Sequence, residues 1–317
     1  MNLTVAEKGA QQEIVRYRTF NNYLRDYFGT RVYKVPVDAG FTCPNRDGVR
    51  AFGGCTFCDE RGSGAPTIDA RLNVRQQLAT GIERVRNRFK AKKFLAYFQA
   101  FTNTYAPVPD LRQLYDVPFE FEDIVGLVIG TRPDCVPDNV LDLLSEYDEK
   151  TFVWLEIGLQ TAVNRTLDLI NRGHSAEEFF DAVKRAKSRN LKVATHLIFG
   201  LPGESEEEMM DTVAKAAACG VDAIKIHQLC VYKGTAMERD YIRGALPMLA
   251  EDTYVRLVCD SLEMIHPEQV VMRLVAEGPK ADVIAPDWCF DKRAVMDKID
   301  LELARRGSLQ GMKYAGR

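Results

Sequence analysis

Six short apolar runs rich in β-branched and aromatic residues, at Val32–Val37, Phe94–Phe98, Val125–Ile129, Phe152–Ile157, Val193–Phe199 and Ala223–Leu229, recur along the chain with amphipathic segments between them. Strands that alternate with helices pair in parallel, because a parallel neighbour is reached only through a crossover, and crossovers of one hand curl the sheet. The alternation therefore predicts an α/β fold: a partial (β/α)6 barrel of the TIM type, left open because six strands are too few to close it. The helix signal is clearest at Ser175–Arg189, where Ser175 and Glu178 form a capping box, Phe179, Ala182, Val183 and Ala186 share one face, and Asn190 ends the run. Another crossover helix follows Gly203, with Glu204, Glu206, Glu207 and Glu208 at its positive end and Gly220 past its last turn. Residues 1–31 read as an N-terminal extension, 32–235 as the core, and 236–317 as a C-terminal α/β extension packed on it. That last part holds a helix near Asp252–Met264, a strand at Val270–Val275 and a helix near Lys292–Arg306.

Hydrophobic residues make up 46% of the 317, enough to bury a substantial core, and mixed charges summing to −3 require neither a nucleic acid nor an acidic membrane as partner. No apolar run approaches the roughly 18 to 20 residues that span a bilayer, and the N-terminus lacks a secretory apolar stretch. A cytoplasmic location without membrane association is expected. Eight cysteines are too sparse for a disulfide scaffold, so a local group of them reads as a metal or redox site.

Such a group follows the first strand: in GFTCPNRDGVRAFGGCTFCDERGSG, Cys43 is followed by eleven residues, Cys55, two residues and Cys58. Gly53, Gly54, Gly62 and Gly64 give the turns needed to fold three sulfurs around one compact centre. A structural zinc ion asks for a fourth ligand, and after Cys58 none of the usual kind appears until Cys135 and His174. Three thiolates suit a [4Fe-4S] cube, whose fourth iron is then free to chelate the amino and carboxylate groups of S-adenosylmethionine (SAM). A zinc knuckle completed by a distant ligand is the structural alternative. The loop sits at a strand's C-terminal end, where barrels of this type place their active sites.

The other motifs fall at strand ends as well. Thr131, Arg132 and Asp134 offer a hydroxyl, a guanidinium and a carboxylate within one turn, suited to a ribose or to the charged end of SAM, with a helix cap as the plain alternative. Glu156, Gly158 and Gln160 alternate and so share one face of their strand. Together with the cysteine loop, the blocks AYFQAFTNTYAP (96–107), GTRPDCVPD (130–138), WLEIGLQTA (154–162), NRGH (171–174), THLIFGLPGE (195–204) and HQLCVYKGT (227–235) resemble the YhcC/YtqA-like branch of the radical SAM superfamily, related to the core of the Elongator catalytic subunit. The resemblance runs over nearly the whole chain. It implies a [4Fe-4S] cluster on Cys43, Cys55 and Cys58, and SAM as the source of a 5′-deoxyadenosyl radical. It also implies a one-electron reductant such as flavodoxin or ferredoxin.

By the same resemblance, Glu156 and Gln160 face SAM, Arg172 approaches its carboxylate, and the turn beginning at Gly200 lies by its adenine. A plain ion pair between Glu156 and Arg172 is the alternative for those two. Where the superfamily has a Gly-Gly-Glu turn for the SAM amino group, this chain departs from the pattern; Gln99, Thr102 and Asn103 are the candidates to supply polar groups instead, with a backbone carbonyl, or a polar loop that makes only structural hydrogen bonds, as the alternatives. His174, His196 and His227 are read first as satisfied core histidines, with contact to substrate or cofactor as the second reading. Cys135 and Cys289 are candidate hydrogen-atom donors weighed against simple packing.

For substrate, relatives in this branch are associated with tRNA wobble uridine, in which a carboxymethylaminomethyl group at C5 becomes aminomethyl. The helix after the cysteine loop carries Arg71, Arg75, Arg84, Arg86, Arg88, Lys90, Lys92 and Lys93, and the tail carries Arg305, Arg306, Lys313 and Arg317; both read as phosphate grips or as solvated faces. Tyr97, Phe101, Tyr105, Tyr232 and Trp288 are candidate stacking platforms for a splayed base. The rival readings are a radical SAM enzyme for a small metabolite or protein, and a zinc-stabilised nucleic-acid-binding protein without catalysis.

Overall fold

A computed structural model describes residues 15–62, 64, 65 and 67–315; the expectations for residues 1–14 and for Arg317 lie outside them. Six parallel strands stand side by side in chain order: β1 (Val32–Val37), β2 (Lys93–Phe98), β3 (Ile124–Thr131), β4 (Phe152–Gln160), β5 (Lys192–Phe199) and β6 (Ala223–Gln228). A short β7 (Val231–Tyr232) turns out of the sheet, and β8 (Val270–Arg273) returns to it, parallel to β6. The open barrel thus has seven strands where the apolar runs counted six. The seventh was visible as a strand but comes after two helices, so sequence order alone did not attach it to the sheet. β9 (Val283–Ala285) pairs antiparallel with β7.

The helices are α1 (Phe20–Phe28), α2 (Val74–Phe89), α3 (Val108–Asp116), α4 (Asp138–Asp148), α5 (Asn164–Leu169), α6 (Ala176–Lys187), α7 (Glu206–Ala218), α8 (Ala236–Ile242), α9 (Glu251–Met264) and α10 (Lys292–Arg306). α6 carries the expected Ser175/Glu178 capping box and buries Phe179, Ala182, Val183 and Ala186. α7 has a second such box from Ser205 and Glu208. In the basic run, Arg71, Arg75 and Arg86 are engaged by Asp69, Glu120 and Asp123 at the surface.

Strand parity divides the interior in two. On β4, Val153, Leu155, Ile157 and Leu159 point outward into the large core shared with the helices. Phe152 and Trp154 point into the barrel, where they join Val32, Leu95, Val128, Ala194, Ala223 and Val270 near the strands' N-terminal ends. α1 closes that end: Phe20 and Leu24 are buried there, and Phe20 and Tyr23 meet Trp154 edge-on at 5.5 and 5.6 Å. The helix is tied to the last strand, since the Val271 N–H donates to the Arg18 carbonyl at 2.8 Å. Among the described residues the lower end of the barrel is filled with hydrocarbon, and the barrel opens at the strands' C-terminal ends.

Candidate active site

The loops at those C-terminal ends enclose a cavity of about 330 Å³, and Cys43, Cys55 and Cys58 all line it. The loop that carries them is stapled at both ends by the buried Gln77 of α2. Its amide oxygen accepts from Asp38 N at 2.8 Å, and its nitrogen donates to the carbonyls of Asp38 and Leu72 at 2.8 and 2.7 Å. Within the loop the Cys43 carbonyl accepts from Arg46 N and Asp47 N, Cys58 N donates to the Cys55 carbonyl, and Gly53 and Gly54 turn through positive φ.

The NRGH block grips this loop from across the barrel. Asn171 Nδ2 donates to the carbonyls of Phe52 and Gly54 at 3.0 and 2.7 Å, Thr56 N donates to the Ile170 carbonyl, and Asn45 Nδ2 donates to the Asn171 carbonyl. Arg172 spans the join: it donates to the Gly158 carbonyl at 3.0 Å, to His174 Nε2 at 2.8 Å and to Cys55 Sγ at 3.5 Å. Burial and the neighbouring Arg172 and Arg132 charges hold His174 well below its ordinary value, so the imidazole stays neutral and can accept from Arg172. Two glycines make room. A Cβ on Gly158 would stand 2.9 Å from Arg172 Nη2, and one on Gly173, whose φ is +70°, would stand 2.1 Å from Asn45 Oδ1.

The donors reaching the sulfurs are those a thiolate needs. Cys55 Sγ receives Arg172 and, at 3.6 Å, Asn45 Nδ2, while Cys58 Sγ receives Arg46 Nη2 at 3.4 Å. Among the described residues no three Cys, His, Asp or Glu side chains are grouped so as to hold one metal ion. A cube does not ask for that, because its three thiolates sit on three different irons. The same cavity is lined by Thr102, whose N–H donates to the carbonyl of Thr42 beside Cys43 and whose Oγ1 is buried without a hydrogen-bond partner, as a site that receives a polar ligand would be. Thiols on one loop, cationic donors on two of them and an unsatisfied hydroxyl in the same cavity fit a cluster with a small polar molecule beside it.

Deeper in the cavity a charged belt lies above the apolar floor. Glu156 Oε2 accepts from the Tyr97 hydroxyl at 2.7 Å, from His196 Nε2 at 3.0 Å and from the Lys225 ammonium, while Lys34 Nζ lies 3.5 Å from Oε1. Burial alone would push the Glu156 carboxyl up, but Lys225, Lys34 and His196 outweigh it and hold it well below the carboxylate range. Burial also pulls Lys225 well below the usual lysine value; Glu156 opposes that shift, and Lys34 and Arg273 reinforce it. His196 and His227 are depressed by burial to about 4 and about 3, so both are neutral. The plain pairing expected for Glu156 therefore exists but with lysines from β1 and β6 rather than with Arg172. Sequence reasoning missed both lysines, although each interrupts an apolar strand at the inward parity.

Of the residues assigned to SAM by resemblance, Gln99, Thr102, Arg132, Glu156, Gln160 and Arg172 line the cavity, whereas Asn103 and Gly200 do not. Asn103 Nδ2 donates to the Ala100 and Gly130 carbonyls and so ties the loop after β2 to the end of β3. Gly200, at φ +85°, forms the turn before α7 and packs beside Leu249. Arg132 is forked onto Asp134 at 2.9 and 3.1 Å and donates to the Arg172 carbonyl at 2.8 Å. Gln160 follows an irregularity in the β4–β5 register and holds φ +75°, a strained setting for a side chain aimed at the cavity. Cys135 lies buried behind the Arg132 turn and outside the cavity lining, its thiol raised by burial. Cys289 hydrogen-bonds Cys230, which does line the cavity, and that bond lowers the Cys289 thiol. Phe101 and Tyr232 border the cavity, while Trp288 donates to the Leu249 carbonyl and leans on Tyr254.

A parallel half-barrel with three thiols of one loop at its C-terminal mouth defines the radical SAM class of enzyme. The chain matches the Radical SAM superfamily over residues 43–216 and the Radical_SAM C-terminal domain over residues 221–305, and it belongs to that superfamily. Over 300 residues it is 46% identical to the uncharacterized protein YtqA of Bacillus subtilis (strain 168), covering 93% of this chain and 92% of that one. It is 28% identical to the tRNA uridine(34) acetyltransferase of Methanocaldococcus jannaschii over 137 residues, 42% of this chain and 25% of the other. Among solved structures, the archaeal Methanocaldococcus infernus Elp3 matches with a TM-score of 0.67 at 17% identity over 88% of this chain and 64% of that one, a likeness of fold. Membership implies a [4Fe-4S] cluster and SAM. Among the described residues no helix is long and apolar enough to cross a membrane.

Proposed function

We propose that this radical SAM enzyme acts on the wobble uridine of tRNA and converts a carboxymethylaminomethyl group at C5 to aminomethyl. The observation that carries the radical chemistry is the placing of Cys43, Cys55 and Cys58 on one wall of a polar cavity that also holds the orphaned Thr102 hydroxyl. The cluster on those three thiols, reduced by a flavodoxin or ferredoxin, would supply the 5′-deoxyadenosyl radical from SAM. The protein's own part is positional. Arg172 and Arg46 hold the sulfurs, Thr102, Gln99 and Gln160 orient SAM, and Arg132 is fixed by Asp134 at the rim. Asn103 and Gly200 shape the loops that present these groups. The sealed lower end keeps bulk water from the reacting carbon, and Phe101 and Tyr232 at the border offer faces on which a splayed base stacks.

What supports tRNA as the substrate is the similarity to a tRNA uridine(34) acetyltransferase, together with the chain's similarity to YtqA. The test is anaerobic: protein reconstituted with iron and sulfide, SAM, dithionite and undermodified tRNA, with 5′-deoxyadenosine and tRNA nucleosides quantified by mass spectrometry. A Cys43/Cys55/Cys58→Ala variant is the control. Cysteine-dependent deoxyadenosine with loss of the carboxymethylaminomethyl nucleoside supports the reading. Deoxyadenosine with unchanged nucleosides sinks the tRNA assignment and leaves a radical enzyme for another substrate.

A further inference from the structure

The cavity's charges do not balance. Six of its lining side chains are basic (Arg46, Arg61, Arg132, Arg172, Lys225 and Arg273) against three acids (Asp59, Glu156 and Glu277). Five of the six have work of their own. Arg61 pairs with Asp59 and Asp282, Arg132 with Asp134 and Lys225 with Glu156, while Arg46 and Arg172 serve the sulfurs. Glu277, the acid on the same side of the cavity, pairs with Lys292 at 3.0 Å. Arg273, exposed at the end of β8, makes no side-chain hydrogen bond and no ion pair among the described residues.

Its charge is nevertheless felt across that wall, depressing Lys34, Lys225, His196 and His227. Two ammoniums already share Glu156, and among the described residues no acid pairs with the guanidinium, which faces water in the cavity. His227 lines the same cavity, one inward position along β6 from Lys225, the register partner of Arg273, with Nδ1 3.1 Å from the Gln228 carbonyl, which fixes the proton there and leaves Nε2 as an acceptor. A cation fork next to a neutral acceptor matches a carboxylate joined to an amine. It does not match a phosphate, for which a second donor would stand where His227 offers a lone pair.

We propose that Arg273 is the receptor for a carboxylate on the substrate's reacting group, with His227 Nε2 accepting from the adjoining amine. This deepens the reading above and rests on it only for the identity of the substrate, since a carboxymethylamino group carries both functions. The other source of the same chemistry is the amino-carboxylate end of SAM. Arg273 and His227 lie on β8 and β6, the far edge of the sheet from β1, but the cysteine loop reaches that side through Arg61–Asp282 and Thr56–Met237, so the separate SAM measurement decides between the two sources.

The test uses reconstituted holoprotein, wild type, Arg273→Lys and Arg273→Met. Affinity for N-methylglycine, the smallest N-alkylated carboxymethylamine, is measured by calorimetry with SAM present, and affinity for SAM is measured separately by equilibrium dialysis. The expected result is N-methylglycine binding weakened about tenfold or more in Arg273→Met and less in Arg273→Lys, with SAM affinity unchanged. The same variants should raise KM for an anticodon stem-loop bearing the modified uridine. Equal N-methylglycine binding by wild type and Arg273→Met, or none by wild type, overturns the proposal. A matching loss of SAM affinity overturns it as well, because the anion held would then be the cofactor's. If N-methylglycine binding depends on Arg273 but no stem-loop is converted, the carboxylate site stands and the tRNA assignment falls.

Discussion

Glu156 is ringed by donors from four strands, and its removal should be felt as a loss of stability before it is felt as a loss of activity. Glu156→Gln leaves Lys225 buried without a counter-ion, and breaking such a pair typically costs about 3–5 kcal/mol. Urea denaturation of the apoprotein should report that loss, with part of it recovered in Glu156→Gln/Lys225→Met, where neither charge remains. Equal losses in the single and double variants would mean the pair is not coupled. The buried histidines set a second expectation. His196 and His227, depressed to about 4 and about 3, and His174, also held low, stay neutral in the fold, whereas in the unfolded chain they take up protons near pH 6.5. Between pH 6.5 and about 4 the unfolded state binds more protons, so stability falls on acidification by up to roughly 1.4 kcal/mol per pH unit for each histidine. Glu156 does not add to that slope, because its contribution is complete above its unfolded value near 4.5 and is lost only below it. Replacing His196 by Gln, which can still donate to Glu156, should flatten the dependence of the urea midpoint between pH 7 and 5 by one proton's worth. An unchanged slope would show that His196 is protonated in the fold.

At the scale of elements, the turn after α5 is the clamp on the cysteine loop, and Gly173 is where it can be loosened without touching a ligand. Gly173→Ala puts a methyl on a residue at φ +70° and into Asn45 Oδ1, so the Asn45 bonds to the Asn171 carbonyl and to Cys55 Sγ must give. The expected result is a stability loss of about 1–3 kcal/mol and a lower iron content after reconstitution, read by colorimetric iron and sulfide assay. Full iron loading would mean the clamp has no bearing on the centre. Much of the framework around this turn was legible beforehand. β1 and α10 fall on the expected residues, and the α6 box and its apolar face follow from spacing alone. The three thiols were legible for the same reason, since they share one loop. The clamp was not, because Asn171 and the carbonyls it holds are 117 and 119 residues apart and no local pattern marks such a pair. Nor was the belt: Lys34 and Lys225 acquire meaning only when the curl of the sheet brings the inner faces of β1, β4 and β6 together. Arg172 lines the same cavity, but it meets β4 at Gly158, one inward position beyond Glu156, and faces Cys55 instead.

The molecule as a whole stores its stability away from its reactive centre. The large core is built from strands and helices, the inner apolar layer is closed by α1, and between β1 and α2 the described residues of the cysteine loop contain no helix and no strand of the sheet. Small metal-folded domains behave otherwise, because there the ligands are the core and the apoprotein is unfolded. Stripping iron with a chelator should therefore leave the far-UV circular dichroism and the cooperative urea transition in place. It should open the loop alone, so that limited trypsin digestion of the apoprotein cuts first after Arg46, Arg50 or Arg61 and the holoprotein resists there. Gln77, anchored in α2 and bonded to both ends of the loop, confines the opening to residues between Asp38 and Leu72. Removing residues 236–317 should act in the opposite sense. It takes away β8, which carries Arg273 and ties down α1, and so unseats both the cavity wall and the seal at the far end. A chelated protein that unfolds globally would place the cluster in the structural core and return the chain to the metal-stapled class; a chelated protein nicked only in the loop makes the centre a guest of a barrel that stands without it.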